Sequence, residues 1–150
     1  MGKRDYPDRP FVGVGAVIVQ DGKVVLIRRR YEPLAGQWSL PGGVVEIGET
    51  LESSVAREMR EETGLTVDVG PVIEVFDRIT RDGEGRVRYH YVLVDYLCWP
   101  VSGALRAGSD VDDAVLVEPS DLHRYNLTLK ATAVIDRALQ LDREAPRPAR

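Results

Sequence analysis

GVVEIGETLESSVAREMREETGL, residues 43–65, leads from a glycine-rich turn into a short segment that is crowded with acidic residues. Thr50 can cap a helix here by accepting a backbone hydrogen bond, and Glu52 lies in the first turn, where the helix dipole favours negative charge. Gly64 stands where a C-terminal glycine belongs. The pattern predicts a helix over Leu51–Thr63.

The acidic residues crowd one side of this helix. At about 100° per residue, Glu58 and Glu62 lie about 40° apart, and Val55 projects into the same sector. A merely solubilising patch would lie opposite the apolar residues, so the overlap requires another explanation. A hard divalent ion such as Mg²⁺ takes oxygen ligands and would turn the repulsion into attraction. For the helix alone, the alternative is a solvated face held by weak ion pairs.

The turn before the helix adds a second signal. Pro41-Gly42-Gly43 permits close approach of the backbone to a ligand and can turn carbonyls or amides inward. Together, the turn and the acidic helix favour a site for metal and phosphate over a solvated face.

These residues resemble the Nudix box: Gly, five residues, Glu, seven residues, then Arg-Glu-apolar-any-Glu-Glu-any-Gly-apolar. Every fixed position is matched, by Gly43, Glu49, Arg57, Glu58, Met59, Glu61, Glu62, Gly64 and Leu65. Trp38-Ser39-Leu40-Pro41-Gly42 is also similar to the family's lead-in. The resemblance covers Phe11 to about Leu141 and implies an α/β fold, a mixed β-sheet sandwiched between helices.

The resemblance also implies roles for the residues of the box. Glu58, Glu61 and Glu62 would hold Mg²⁺, or Mn²⁺ in its place, or would polarise the attacking water. The Gly43 carbonyl would add a metal ligand, and Arg57 and Glu49 would orient the carboxylates. No covalent intermediate is required, since water attacks phosphorus while a phosphoryl-bearing group leaves.

Family members often take a further acid, as metal ligand or base, from a loop well after the box. Here the candidates are Asp110, Asp112 and Asp113, in a glycine-containing loop over residues 102–113 that we expect to close on the box helix. The family often has an aromatic residue six positions after this acid, which favours Asp110, although Leu116 occupies that place. A solvated acidic turn is the alternative.

The sequence around the box predicts one domain over residues 11–142, with a flexible arm at 1–10 and a disordered tail at 143–150. Asp21-Gly22 between two valine-rich runs predicts a hairpin of antiparallel strands. Tyr31 to Gly43 contains too many glycines and prolines for regular structure. Further strands are predicted at Leu65–Val69, Val72–Thr80, Arg86–Trp99 and Ala114–Val117, and a second helix at Leu127–Leu141.

The composition indicates which kinds of partner and which compartment to expect. The net charge of −4 argues against broad capture of nucleic acid, which relies on Lys and Arg. Cys98 is the one cysteine of the sequence and cannot form an internal disulfide. No apolar run approaches the length of a membrane span, and the start lacks a signal-peptide core, so we expect a cytoplasmic protein. The oligomeric state is left open, with a homodimer as one option.

Basic and aromatic residues near the turn are candidates for binding the substrate. Arg28, Arg29 and Arg30 end a predicted strand beside the loop and could reach a phosphate through forked contacts. The alternative is an edge strand kept soluble by charge. Trp38 could stack on a base, and Gly42 lets the backbone approach the ligand.

Residues 31–43 are most similar to small ADP-ribose pyrophosphatases of the family, which implies hydrolysis of ADP-ribose to AMP and ribose 5-phosphate. The proline that marks many such enzymes is absent between Phe76 and Tyr91. A MutT-like hydrolase of nucleoside triphosphates is therefore the alternative. A nucleotide sensor without catalysis is a second alternative, against which the intact carboxylates argue.

Overall fold

Seven strands and two α-helices make up the part of the chain, residues 4–144, that the computed structural model describes. The strands are β1 (Phe11–Gln20), β2 (Lys23–Arg29), β3 (Trp38–Ser39), β4 (Gly42–Val44), β5 (Leu65–Arg81), β6 (Val87–Gly103) and β7 (Val111–Val117). The helices are α1 (Leu51–Thr63) and α2 (Leu129–Glu144), with a 3-10 helix at Pro119–Tyr125. None of these helices is long and apolar enough to cross a membrane.

The strands form one mixed sheet around β1. Its main order is β3-β2-β1-β6-β5, while β4 pairs with β1 and β7 pairs with β2. β1 runs parallel to β6, from Phe11 opposite Tyr91 to Ile18 opposite Cys98, and antiparallel to β2 and β4. The predicted hairpin at Asp21-Gly22 is confirmed, since β1 and β2 pair directly across it.

Helices cover both faces of the sheet. Successive side chains of β1 point to opposite faces, so β1 contributes to the packing under each helix. Val14 and Ile18 belong to a buried cluster with Val55 and Met59 of α1. Val17 and Val19 belong to a second cluster, which contains Val134, Ile135 and Ala138 of α2. The predicted mixed sheet sandwiched between helices is confirmed.

Two glycines interrupt the second of these faces. Gly13 and Gly15 lie on the same side of β1 as Val17, four and two residues before it. They present no side chain to fill the space beside them. The sheet therefore has a hollow next to the start of α2.

α1 has the predicted bounds and caps. The Thr50 hydroxyl accepts from the Ser53 N–H, and the Ser53 hydroxyl accepts from the Thr50 N–H, both at 3.0 Å. At the other end Gly64 adopts φ of +76° and donates its N–H to the Arg60 carbonyl at 3.1 Å. Such caps satisfy backbone groups that a helix end leaves unpaired.

The prediction of two separate strands at Leu65–Val69 and Val72–Thr80 was wrong. β5 continues through Gly70-Pro71, and register shifts in its pairing with β6 absorb the break. β5 lies at the edge of the sheet, where the missing N–H of a proline is tolerated.

The predicted absence of regular structure over residues 31–43 was also wrong. β3 pairs with β2, and β4 pairs with β1 with Gly42 opposite Gly15 and Gly43 opposite Val14. The glycines of β4 allow this close pairing, since a Cβ at Gly42 would overlap the Val14 carbonyl oxygen.

Smaller corrections concern the ends of elements. β7 begins at Val111 rather than Ala114, because the pairing with β2 extends to Arg29. α2 begins at Leu129 rather than Leu127, because the Thr128 hydroxyl accepts from the Ala131 N–H at 3.1 Å, as a capping residue does.

The two predicted termini are described only in part. α2 includes Arg143 and Glu144, so these two residues of the predicted tail are helical, and residues 145–150 lie outside the described part of the chain. Residues 1–3 also lie outside it. In the predicted arm the Tyr6 N–H donates to the Arg88 carbonyl at 2.7 Å, and the Tyr6 hydroxyl donates to Asp82 at 2.9 Å.

Candidate functional site

A cleft of about 350 Å³ opens over the hollow in the sheet. Its walls are the chain from Arg29 to Val44, the side chains of α1 that face this chain, and the start of α2. Of the predicted site residues, those that line the cleft are Arg29, Arg30, Trp38, Gly42, Gly43, Glu58, Glu62 and Asp110.

The glycine turn lies directly against the carboxylates of α1. The Gly42 N–H donates to Glu62 Oε1 at 2.7 Å. A Cβ at Gly43 would overlap the Glu58 carboxyl group, so only glycine fits there without displacing it. The Glu58 side chain is only 12% exposed. The two carboxylates therefore share a confined space with the backbone of β4.

Burial makes the ionised form of these carboxylates costly. It raises the pKa of Glu62 to about 8, and the charge of Glu58 adds to the rise, while the Gly42 N–H and Arg29 oppose it. Burial also raises the pKa of Glu58, against the influence of Arg57. Loss of contact with water is therefore the main cost of ionising these two carboxylates.

An added cation would stabilise the ionised form of both carboxylates. The atoms at hand are carboxylate oxygens of Glu58 and Glu62 and the backbone of Gly43, and no soft sulfur or imidazole ligand lines the cleft in the described residues. Hard oxygen ligands suit Mg²⁺ or Mn²⁺ rather than zinc. The residues present fit such an ion.

Glu61 is not among the residues that line the cleft. Glu61 is exposed, and its carboxylate accepts from Arg57 Nη1 at 3.2 Å. Within residues 4–144, no three His, Cys, Asp or Glu side chains converge into a group that could hold a metal ion. A metal-holding role for Glu61 therefore stays a prediction.

Arg57 connects the box residues to each other. Its guanidinium makes a forked contact with Glu49, Nε to Oε2 at 2.6 Å and Nη2 to Oε1 at 2.9 Å. The same group donates to Glu58 at 2.8 Å and to the Val44 carbonyl at 3.3 Å. The hydrogen bond from Arg57 lowers the pKa of Glu49 to about 2. These contacts fix the direction of the Glu58 carboxylate.

The loop that carries Asp110 is already docked on α1. The Gly108 N–H donates to the Glu62 carbonyl at 3.2 Å, and the Arg106 N–H donates to the Thr63 carbonyl at 2.9 Å. Asp110 lines the cleft, and its charge contributes to the raised pKa of Glu62. Asp112 instead pairs with Arg30 at 2.9 Å.

Arg28, Arg29 and Arg30, at the end of β2, do not alternate between the two faces as they would in a regular strand. The pairing of β2 with β7 shifts register between Arg28 and Arg29, and such bulges re-aim side chains. Arg29 lines the cleft and donates Nε to the Pro33 carbonyl at 2.6 Å. Arg28 stands over the ring of Trp38, 5.9 Å from its centroid, and is not part of the lining.

Sequence reasoning missed Arg78, Leu93 and Asp95 in the floor of the cleft. In register, Glu74, Phe76 and Arg78 of β5 lie opposite Asp95, Leu93 and Tyr91 of β6, and five of these six side chains line the cleft, Glu74 being the exception. Asp95 is only 7% exposed. The available signal was one carboxylate within the apolar run of residues 92–99, VLVDYLCW.

The fold and the cleft define a class of protein: an α/β domain in which a glycine turn and an acidic helix form an oxygen-rich site. The NUDIX domain family matches residues 9–138. The chain therefore belongs to the NUDIX hydrolase family, as the box at residues 43–65 indicates.

Individual relatives agree with this assignment. An ADP-ribose pyrophosphatase of Methanocaldococcus jannaschii is 37% identical over 113 residues, which cover 75% of this chain but only 64% of that protein. A MutT-like protein of Streptomyces ambofaciens is 33% identical over 81% of this chain and 72% of its own length. The crystal structure of a MutT NUDIX hydrolase from Burkholderia pseudomallei matches with a TM-score of 0.75 and 33% identity, over 87% of this chain and 98% of that one.

The buried Asp95 gives a stability prediction. Burial raises the pKa of Asp95 to about 6, with Glu74 adding to the rise and Arg78 and Lys130 opposing it. Because an aspartate in the unfolded chain has a pKa near 3.9, the folded form binds more protons between about pH 4 and 6. The cost of burying the charge is full above pH 6 and disappears below pH 4.

Asp95→Asn should therefore melt at a higher temperature than the wild type at pH 8, by an amount worth about 3 kcal/mol, and at nearly the same temperature below pH 4. Thermal unfolding followed by circular dichroism across this range measures the difference. The control is Asp77→Asn. Asp77 is an exposed residue of β5 on the face of the sheet that points away from the cleft, and its variant should show no such trend. A difference for Asp95→Asn that is independent of pH would contradict the prediction.

Proposed function

We propose that this protein is a Mg²⁺-dependent pyrophosphohydrolase that cleaves the diphosphate linkage of a nucleoside diphosphate derivative, with ADP-ribose cleaved to AMP and ribose 5-phosphate. The observation that carries this proposal is the pair of desolvated carboxylates, Glu58 and Glu62, beside a backbone turn at one end of the cleft. A negatively charged site of this kind binds a diphosphate only if a cation is present between them.

The residues that would hold the ion are Glu58, Glu62 and the Gly43 carbonyl, with Glu61 joining them if it leaves Arg57. Bound Mg²⁺ would neutralise diphosphate oxygens and lower the pKa of the attacking water. Arg57, held by Glu49, keeps Glu58 in place.

Other residues of the cleft would act on the substrate directly. Arg29 uses Nε on the Pro33 carbonyl, and its remaining N–H donors would bind a phosphate oxygen. Asp110, which lines the same cleft as Glu62, would take the proton from the attacking water or add a metal ligand.

Two observations concern the substrate. The relative named an ADP-ribose pyrophosphatase supports ADP-ribose. The MutT-like relative supports the second candidate, hydrolysis of a nucleoside triphosphate. Both reactions break a phosphoric anhydride bond, so they share the carboxylate end of the cleft and differ in what the rest of it must accommodate.

A substrate panel tests the proposal. The purified protein is incubated with ADP-ribose, dinucleoside polyphosphates, nucleotide sugars and deoxynucleoside triphosphates in Mg²⁺, Mn²⁺ or EDTA, and the phosphate products are measured. ADP-ribose is expected to have the highest kcat/KM, and EDTA is expected to abolish turnover. Undiminished hydrolysis in EDTA would contradict the mechanism. Binding of a nucleotide without turnover of any substrate would identify a sensor instead.

The carboxylates give a sharper prediction. Glu62→Gln and, separately, Glu58→Gln should lower kcat by at least about 10²-fold, because each removes charge from the metal site. Folding should survive, since a buried charge is replaced by a neutral group of the same shape.

The matched control for these variants is Glu52→Gln, an exposed residue in the first turn of α1. It should keep wild-type turnover. Circular dichroism confirms that each variant is folded. Wild-type kcat in a folded Glu62→Gln protein would sink the assignment of the metal site.

Asp110 is tested in the same assay. Asp110→Asn should lower kcat by about 10²-fold or more and change KM less, because a metal-holding or proton-accepting role is expressed in the transition state. Asp113→Asn, an exposed residue of β7, is the control. If both variants turn over at the wild-type rate, the base must lie within residues 43–65.

A further inference from the structure

Asp95 lies at the bottom of the hollow that Gly13 and Gly15 leave in the sheet. A Cβ at Gly15 would come within 2.5 Å of Asp95 Oδ1, and a Cβ at Gly13 would come within 2.7 Å of Leu93 Cδ2. With any larger residues in their place, β1 would cover the carboxylate. The glycines therefore keep Asp95 open to the cleft, which it lines.

The Asp95 carboxylate has no partner in the described residues. No N–H or O–H group of residues 4–144 donates to it, and no basic group there lies within salt-bridge distance of it. Lys130, which could have paired with it, instead donates to Glu74 at 3.0 Å and stands 4.8 Å from the centroid of the Phe76 ring. Because the Asp95 residue is only 7% exposed, holding an unpaired charge there costs free energy.

The position of Asp95 relates it to the carboxylates of α1. Asp95 is opposite Gly15 in the β6–β1 pairing, and Gly15 is opposite Gly42 in the β1–β4 pairing. Gly42 donates to Glu62. With strands about 4.8 Å apart, Asp95 and Gly42 are separated by roughly 10 Å across the sheet. A single nucleotide can contact both.

The chemistry of the hollow restricts what enters it. An ionised carboxylate only accepts hydrogen bonds, so its ligand must present an N–H or O–H donor rather than a carbonyl. Phe76 and Leu93 provide apolar surface on the same face of the sheet. The hollow suits a flat or ring-shaped group with donors on its edge, and it repels phosphate.

We propose that Asp95 is a specificity-determining residue that accepts a hydrogen bond from the nucleoside part of the substrate, either from the amino group of its base or from a ribose hydroxyl. This inference rests on the proposed function for the nature of the ligand, a nucleoside diphosphate derivative. Asp95 would thus recognise the nucleoside end of the substrate, away from the diphosphate linkage that is cleaved.

The test measures binding without turnover. Isothermal titration calorimetry in Mg²⁺ compares the non-hydrolysable α,β-methylene analogue of ADP-ribose with its hypoxanthine and 2′-deoxyadenosine counterparts on the wild type and on Asp95→Asn. The variant should bind the adenine ribonucleotide roughly tenfold more weakly, the loss expected for one hydrogen bond to a charged group. Asp77→Asn, from the opposite face of β5, should bind as the wild type does.

The two analogues identify the donor. If Asp95 reads the base, the wild type prefers adenine to hypoxanthine and the variant loses that preference. If it reads the sugar, the preference for ribose over deoxyribose is lost instead. Either result supports the proposal.

Other results overturn it. Equal affinities of wild type and Asp95→Asn for all three nucleotides would do so, as would the absence of binding to any of them by the wild type. If Asp95→Asn and Asp95→Ala both fail to fold, the carboxylate is structural and the proposal is wrong. Binding that depends on Asp95 without hydrolysis in Mg²⁺ would defeat the proposed function alone and leave this assignment intact.

Discussion

The close approach of two glycines to a buried pair of carboxylates is the contact on which the rest of this structure depends. A side chain at Gly43 would overlap the Glu58 carboxyl group, and the Gly42 N–H donates to Glu62. Both contacts require β4 to pair with β1 in one register, and they require α1 to begin and end where its caps place it. A shift of one residue in β4 would turn each glycine to the other face.

Successive side chains of β1 point to opposite faces of the sheet, and the two faces have different roles. Val14 and Ile18 pack under α1 and support the carboxylates. On the other face Val17 and Val19 pack under α2, whereas Gly13 and Gly15 leave the sheet open. β1 therefore packs under the helix that carries the carboxylates and also borders the floor of the cleft. Both ends of a bound ligand would be held by the same rigid strand.

Local features could be predicted from the sequence, and features that depend on distant pairing could not. The caps of α1 and the hairpin at Asp21-Gly22 lie within a few residues of the structures they specify. That Arg29 and Arg30 line the cleft and Arg28 does not depends on a bulge between β2 and β7, strands that are some eighty residues apart along the chain. The pairing of Glu61 with Arg57 could not be predicted either, since Arg57 also contacts Glu49, Glu58 and the Val44 carbonyl and no spacing rule ranks these partners.

The unpaired charges of the cleft also determine how a nucleotide would lie in it. Under the proposed function, phosphates are drawn to the end with Arg29 and the bound cation, while Asp95 repels them and accepts donors. A reversed ligand would place phosphate against a buried carboxylate, which costs more than a lost hydrogen bond. The same charge that destabilises the empty fold thus discriminates between the two orientations, which is how a binding site can use an unfavourable group for specificity.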